Sequence, residues 1–460
     1  MPLTNKQTRY IQSVLHPYTN PKVLRETGAL VYERGKGVFV YDEHGKDYIE
    51  AMSGLWCNAL GWGETELVDA AAEQMRKLGH AHLFAGKSHE PAIALAEKLK
   101  EIAPFRVGKV FFVSSGSEAN DTQVKLFWFA NNARGATKKK TIISRIKAYH
   151  GVTLAAASLS GLPANHKSFD LPLAFARHVD CPHYYRLAEP GETEEAYSKR
   201  LAVNLNALIE KEGAGTVAAF IAEPMMGAGG AIVPPKNYFA EIQKVLKQHG
   251  VAMIDDEVIT GFCRTGKLWG AETFGVAPDT MSIAKQLSSA YLPIAAVLIS
   301  PELADLVDTE SGKIGTFGHG YTYGGHPVPC AVALKTIEIY EKRKILDHVR
   351  KVSPRFLQRL YKLSEHPMVA DAQGIGLIGG IELVADKATK KTFDAGKGVA
   401  AKFAVFLQEE GVIGRALLGD RMAFCPPLII TEAEIDELFD RTERAFAKGL
   451  AWAKAERLLA

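Results

Sequence analysis

The stretch VAMIDDEVITGFCRTG, residues 251–266, decides how this chain folds. Val251 to Asp255 is a short apolar run behind Gly250, the length of a buried strand. It ends in three consecutive acids, Asp255, Asp256 and Glu257, where a strand would leave its sheet. The run TMSIA, 280–284, has the same form and delivers one lysine, Lys285, at its exit. Taken singly, these are an acidic turn and a surface lysine; together they place a carboxylate and an amine at two strand ends.

Upstream the same pattern recurs. KVFFV (109–113) precedes SSGSEAN and a helix to about 133, with Ala119, Leu126, Phe127 and Ala130 on one face. TIISR (141–145) runs into AYHG, and VAAFIA (217–222) runs into Glu223-Pro224 after a helix near 198–211. A helix near 237–248 closes on Gly250, and AAVLI (295–299) adds one strand more. Short continuous apolar strands alternating with helices predict an α/β fold, a mostly parallel sheet with helices on both faces. In such a sheet ligands bind beyond the carboxyl ends of the strands. Ser115-Gly116-Ser117, Tyr149-His150-Gly151, Glu223, Asp256 and Lys285 each follow a separate apolar run, so they converge on one crevice. A lysine and a carboxylate there suit a carbonyl cofactor with a basic ring nitrogen, which is pyridoxal phosphate. Ser115-Gly116-Ser117 opening a helix offers backbone N–H groups to a phosphate, although an ordinary helix cap reads the same way. Tyr149 offers a ring to stack on a flat cofactor.

Residues 1–27 are polar, with turn-like elements at 16–21. The segment 29–54 predicts a three-stranded antiparallel meander, followed by helices at 64–78 and 90–102. Beyond 330 the character changes. A helix over 327–345 leads to two strands around glycine turns in 368–386. A helix at 396–410, the strands VIGRAL and RMAFCPP, and a final helix from 432 follow. The expected division is an N-terminal segment and meander (1–60) packing with an α+β C-terminal small domain (336–460), around a large cofactor domain (61–335).

The 460 residues are 47% hydrophobic and 23% charged, enough for a large core. A formal charge of +3 gives no case for nucleic acid or an anionic membrane. Five cysteines far apart, with no Cys-x-x-Cys pair, exclude a metal finger or disulfide framework and fit a reducing cytoplasm. No apolar core for a signal peptide follows Met1, and the longest apolar stretch, near 292–300, is too short to cross a bilayer. Gly374 to Gly379 fits Gly-x-Gly-x-x-Gly, but a strand follows where a nucleotide fingerprint needs a helix. Gly261 to Lys267 is one residue short of a phosphate loop, and Leu268 stands where Ser or Thr would hold magnesium. His16, His80, His82 and His89 lack helical metal-ligand spacing, and no Gly-x-Ser-x-Gly elbow is present.

With SGSEAND, YHG, AEPMMGAGGAIVPP, DDEVITGFCRTG, AKQLSS, GYTYGGHPVPCAVA and QGIGLIGGIEL in this order, the chain resembles the class III, or omega, aminotransferases. These are pyridoxal phosphate enzymes of fold type I. GLWCNALGWG, 54–63, is similar to the omega-amino acid or amine:pyruvate branch, where ornithine and 4-aminobutyrate aminotransferases usually differ. The resemblance implies that Lys285 carries the cofactor as a Schiff base and shuttles the proton, and that Asp256 pairs with the ring nitrogen. It implies that Val258 and Tyr149 flank the ring, that His150 lies beside it, and that Ser115, Gly116 and Ser117 hold the phosphate. Thr322 and Tyr321 of a partner subunit would complete that site, in a homodimer or tetramer. Glu223 would lie at the cofactor's hydroxyl side and help position a mobile arginine. Arg415 would bind substrate carboxylates, and Tyr18, Leu55 and Trp56 would line the substrate entrance. Gln286 and Ala290, where relatives often carry glycine, and Tyr321, where they often carry Phe, bear on the choice of amine. The expected reaction is ping-pong transfer of an amino group from an omega-amino acid or primary amine to a keto acid, pyruvate first. A decarboxylase or aminomutase on the same fold is the alternative, and a cofactor-binding protein without turnover is disfavoured by Lys285, Asp256 and Arg415 together.

Overall fold

Seven short strands form the central sheet of the computed structural model, which describes residues 3–459. They are β1 (Lys109–Val113), β2 (Thr141–Arg145), β3 (Ala176–Val179), β4 (Val217–Ala222), β5 (Ala252–Asp256), β6 (Thr280–Ile283) and β7 (Ala295–Ile299). Their order is β1-β7-β6-β5-β4-β2-β3. β7 runs antiparallel to both neighbours, and the pairings from β6 to β3 are parallel. β4 and β7 are buried along their whole length, which is why they read as unbroken apolar runs.

Strand alternation divides the core. Phe220 and Met253 belong to one hydrophobic cluster, with Leu205 and Phe239 of the helices Glu194–Glu212 and Tyr238–His249. Ile221 and Ile254 belong to the other, with Ala119, Val124 and Leu126 of the helix Gly116–Ala133. Side chains two apart on a strand share a face. Asp256 therefore follows Ile254 onto the side of the helix Gly116–Ala133, while Asp255 points to the opposite side.

The predicted meander is present as Tyr32–Lys36, Phe39–Asp42 and Asp47–Glu50. A C-terminal strand, Val412–Ile413, pairs parallel with Asp47–Glu50, so the N-terminal segment is tied to the far end of the chain. A third sheet holds the hairpin Val369–Ile375 and Ile378–Leu383 with Arg421–Phe424 and Arg415–Leu417. The Gly-x-Gly-x-x-Gly segment is the turn of that hairpin, as expected.

Four expectations need correction. The polar N-terminus forms two helices, Asn5–Ser13 behind a Thr4 capping box and Pro21–Thr27 behind Asn20. The helix expected over 327–345 is Pro327–Lys342, and a second, unexpected helix, Ile345–Lys362, follows a break where Lys344 takes a φ of 51°. VIGRAL is divided at Gly414 between two sheets rather than forming one strand. The edge strand β3 escaped notice because Arg177 and His178 interrupt its apolar pattern. Among the described residues no helix is long and apolar enough to cross a membrane.

Candidate active site

Nine of the residues singled out in the sequence line one cavity at the carboxyl edge of the sheet: Gly116, Ser117, Tyr149, His150, Gly151, Glu223, Asp256, Val258 and Lys285. Asp256 ends β5 and Lys285 follows β6, and these strands are hydrogen-bonded neighbours. Adjacent parallel strands that end at one level bring carboxylate and amine into the same crevice.

Asp256 is almost fully buried, and its hydrogen bonds fix its orientation. Its Oδ2 accepts from Asn120 Nδ2 at 2.8 Å and from His150 Nδ1 at 2.7 Å. Its Oδ1 accepts from the Val258 N–H at 3.1 Å. His150 is set in turn by Ser144 Oγ, 3.1 Å from Nε2, and Asn120 Nδ2 also donates to the His150 carbonyl at 2.7 Å. These donors hold the carboxylate in one orientation inside a buried site.

Lys285 opens a short 3-10 turn with φ 49°, a left-handed conformation that lysine adopts only under constraint. Burial pushes its amine below the ordinary lysine range, against Cys57, Asp256 and Glu223, which oppose the shift. Ala290 has φ 63°, which accounts physically for a glycine preference there. Gln286 donates from Nε2 to the Ile259 carbonyl at 2.6 Å, bracing the Lys285 turn against the segment after β5.

The anion cradle lies at the N-terminus of Gly116–Ala133. A Cβ at Gly116 would lie 3.2 Å from both methyls of Val258, and one at Gly151, whose φ is +126°, would press on Ser117 Cβ at 2.9 Å. Ser117 Oγ accepts from the Val152 N–H at 3.1 Å. Ser115 stands apart: it is exposed, outside the cavity lining, and its Oγ accepts from the Glu118 N–H at 3.2 Å. Its side chain caps the helix.

Glu223 Oε1 accepts from the Tyr149 N–H at 3.1 Å, and Oε2 from the Gly227 N–H at 2.9 Å; burial raises its carboxyl. Those bonds engage both carboxylate oxygens, and Arg415 does not pair with it. Burial lowers the Arg415 guanidinium, and the groups opposing that shift are the phenols of Tyr149 and Tyr18. Tyr18 accepts from Asn165 Nδ2 at 2.9 Å. Arg415 is paired with no carboxylate among the described residues.

Other expected residues lie outside the Lys285 cavity. Trp56 is 3% exposed and packs with Met225 and Ile259, whereas Leu55 beside it is 60% exposed. Thr322 is exposed, and Tyr321 Oη reaches the Glu118 carbonyl at 3.5 Å. Asp255 and Glu257 are no surface turn: both are buried, and Asp255 has no hydrogen-bond partner for either oxygen. The cluster His183, Asp371 and Glu382 has metal-like spacing, but Arg421 already bonds both carboxylates, at 2.8 and 2.9 Å.

Sequence reasoning missed Asn120 and Glu50. Asn120 lies one helical turn after Gly116 on the same face, a signal that was available. Glu50 ends a strand far away in sequence, and nothing local marks it.

The aminotransferase class-III family model matches residues 22–446. Gamma-aminobutyrate transaminase 1, mitochondrial, of Oryza sativa subsp. japonica is 49% identical over 426 residues, covering 92% of this chain and 82% of the relative. The omega transaminase of Pseudomonas jessenii, solved in complex with PMP, superposes with a TM-score of 0.96 at 48% identity, over 98% of this chain and 99% of that one. A PMP-bound aminotransferase of Vibrio fluvialis gives 0.95 at 42% identity, over 97% and 99%. The residues present fit pyridoxal phosphate: a glycine-walled helix N-terminus for an anion, a donor-braced carboxylate for a ring nitrogen, and a buried, pKa-lowered amine for a carbonyl carbon. The chain belongs to the class III aminotransferases, pyridoxal phosphate enzymes that transfer an amino group.

Proposed function

We propose that this enzyme moves an amino group from an omega-amino acid or a primary amine to pyruvate, in two successive half-reactions centred on Lys285. The observation that carries this reading is the Lys285 amine beside a braced Asp256 in one cavity. Pyridoxal phosphate, when bound, supplies a carbonyl carbon that takes up the amine and a protonated ring that draws electrons from the substrate carbon.

The chain's own residues then have distinct tasks. Asp256, held by Asn120 and His150, keeps the ring nitrogen protonated. Gly116 and Ser117 hold the phosphate at the helix N-terminus, where N–H groups and the helix dipole favour an anion. Tyr149 and Val258 would flank the ring, and Glu223 fixes the Tyr149 backbone. Lys285 Nζ would take the proton from the substrate carbon and deliver it to the carbon the cofactor supplies; its lowered pKa makes the neutral, basic form accessible. Arg415 binds the acceptor's carboxylate, a role supported by its lack of an acidic partner among the described residues. Leu55, Trp56 and Tyr18 shape the substrate side.

A homodimer with shared sites is part of this reading, because Thr322 is exposed and outside its own chain's cavity. Separate sheets support the division into 1–60, 61–335 and 336–460, with the helix Pro327–Lys342 crossing the second boundary. Five free cysteines support a reducing cytoplasm. The test is a donor screen with pyruvate as acceptor, reading alanine formation from beta-alanine, 4-aminobutyrate and simple primary amines. Alanine from at least one such donor is expected; transfer to 2-oxoglutarate alone, or carbon dioxide release without alanine, overturns the proposal.

A further inference from the structure

We propose that Glu50 is a positioning residue that sets the turn 53–57 and through it the choice of amino donor. This rests on the reading of that turn as the substrate side. The turn closes on its own backbone bonds, from the Trp56 and Cys57 N–H groups to the Met52 and Ser53 carbonyls, but over a strained backbone. Ser53, Gly54 and Trp56 have φ values of 47°, 68° and 65°, and left-handed backbone at a serine and a tryptophan is strained. Contacts from outside the turn add to those bonds on each side of it.

One side is held by Ser53, whose Oγ donates to the Cys425 carbonyl at 2.6 Å. The Arg264 guanidinium, itself on the carbonyls of Leu377 and Pro426, braces that hydroxyl. The other side is held by Glu50, whose Oε2 accepts from the Gly54 N–H. Glu50 is 3% exposed and takes part in no ion pair among the described residues. The strand Asp47–Glu50 uses its backbone for pairing and needs no carboxylate at that position. An acid buried without a cation is costly, and burial pushes this one up to about 8. Its hydrogen bond to the turn is the structural return on that cost.

The turn communicates with the site by contact. Trp56 packs in one cluster with Met52, Met225 and Ile259, and Ile259 lines the Lys285 cavity. Releasing Gly54 lets Leu55 and Trp56 shift while Asp256, His150 and Asn120 stay in place. Donor fit should change and the proton-transfer groups should not.

The experiment compares Glu50→Ala, Glu50→Gln and Leu55→Ala holoenzymes by amide hydrogen exchange over 52–58 and by KM and kcat for a small and a bulky primary amine. Glu50→Ala is expected to lose exchange protection in that segment and to change the KM ratio of the two amines about tenfold, with kcat within about threefold. Cofactor absorbance should be unchanged. Glu50→Gln, which keeps a carbonyl oxygen for Gly54, should restore both protection and ratio. A Glu50→Ala enzyme with normal protection, or with kcat and KM falling equally for both amines, overturns the proposal. If Leu55→Ala changes the ratio and Glu50→Ala does not, the positioning role fails while the substrate-side reading stands. If neither changes it, the substrate-side reading fails as well.

Discussion

Replacing Asp256 by Asn removes one charge and leaves nearly the same shape. In the structure Oδ2 accepts from Asn120 and His150, and Oδ1 accepts from the Val258 N–H. An amide can place its single oxygen on only one of these sides. Its NH2 must then face a donor, at a cost of about 1–3 kcal/mol for the unsatisfied groups. The lost charge matters more. Two opposite charges about 4 Å apart interact by about 4 kcal/mol at an effective dielectric of about 20, a reasonable value for this buried carboxylate. That corresponds to about three units of ring-nitrogen pKa and about a thousandfold in rate if the charged ring is needed. Stopped-flow measurement of a single half-reaction, with cofactor absorbance followed at the same time, reads this directly. The expected result is a protein that still binds cofactor covalently and deaminates its donor about a thousandfold more slowly. A rate within about threefold of wild type would refute the reasoning and return the role to another acid.

Arg415→Ala should raise the KM for pyruvate strongly while single-turnover deamination of a carboxylate-free amine stays nearly normal; equal losses in both half-reactions would assign Arg415 to the fold. Mixing Lys285→Ala chains with Thr322→Ala chains, after verified subunit exchange, should recover some activity, because a hybrid dimer rebuilds one intact shared site; no recovery argues for sites made by single chains. Burial pushes the Glu50 carboxyl up to about 8 and the Glu257 carboxyl up to about 7. Between the ordinary glutamate range and those values the folded chain keeps protons that the unfolded chain has released, so their contribution is full at acid pH and lost as pH rises through 7 to 8. Tm should therefore fall from pH 6 to 9, and Glu50→Gln should flatten that fall; a Tm that rises over the range contradicts the assignment.

The central sheet was legible because each buried strand is a short apolar run that ends in polar residues. Asp256, Glu223, His150 and Lys285 could be assigned to one crevice from that alone, since parallel strands end on one edge. What escaped depends on tertiary context. The helix Ile345–Lys362 carries Pro354 in its interior, a residue that reads as a stop unless packing sustains the helix. The break of VIGRAL at Gly414 follows from two sheets competing for neighbouring residues, which no local pattern encodes. Ser115 is the opposite case: the motif was found, but cap and cradle share the same sequence, and only geometry gives the hydroxyl to Glu118. Asn120 and Glu50 act on residues distant in sequence or across a turn of unusual backbone. Asp255 and Glu257 look like solvated charges in a list of residues, yet both are buried at the end of a central strand.

The most direct test of the account is where the cofactor is attached. The purified enzyme should be yellow, and borohydride reduction followed by proteolysis and mass mapping should recover the cofactor on the peptide that contains Lys285. Lys285→Ala should carry no covalent label and transaminate orders of magnitude more slowly. A label on Lys267, Lys313 or any other lysine of the wild-type enzyme would contradict the central claim.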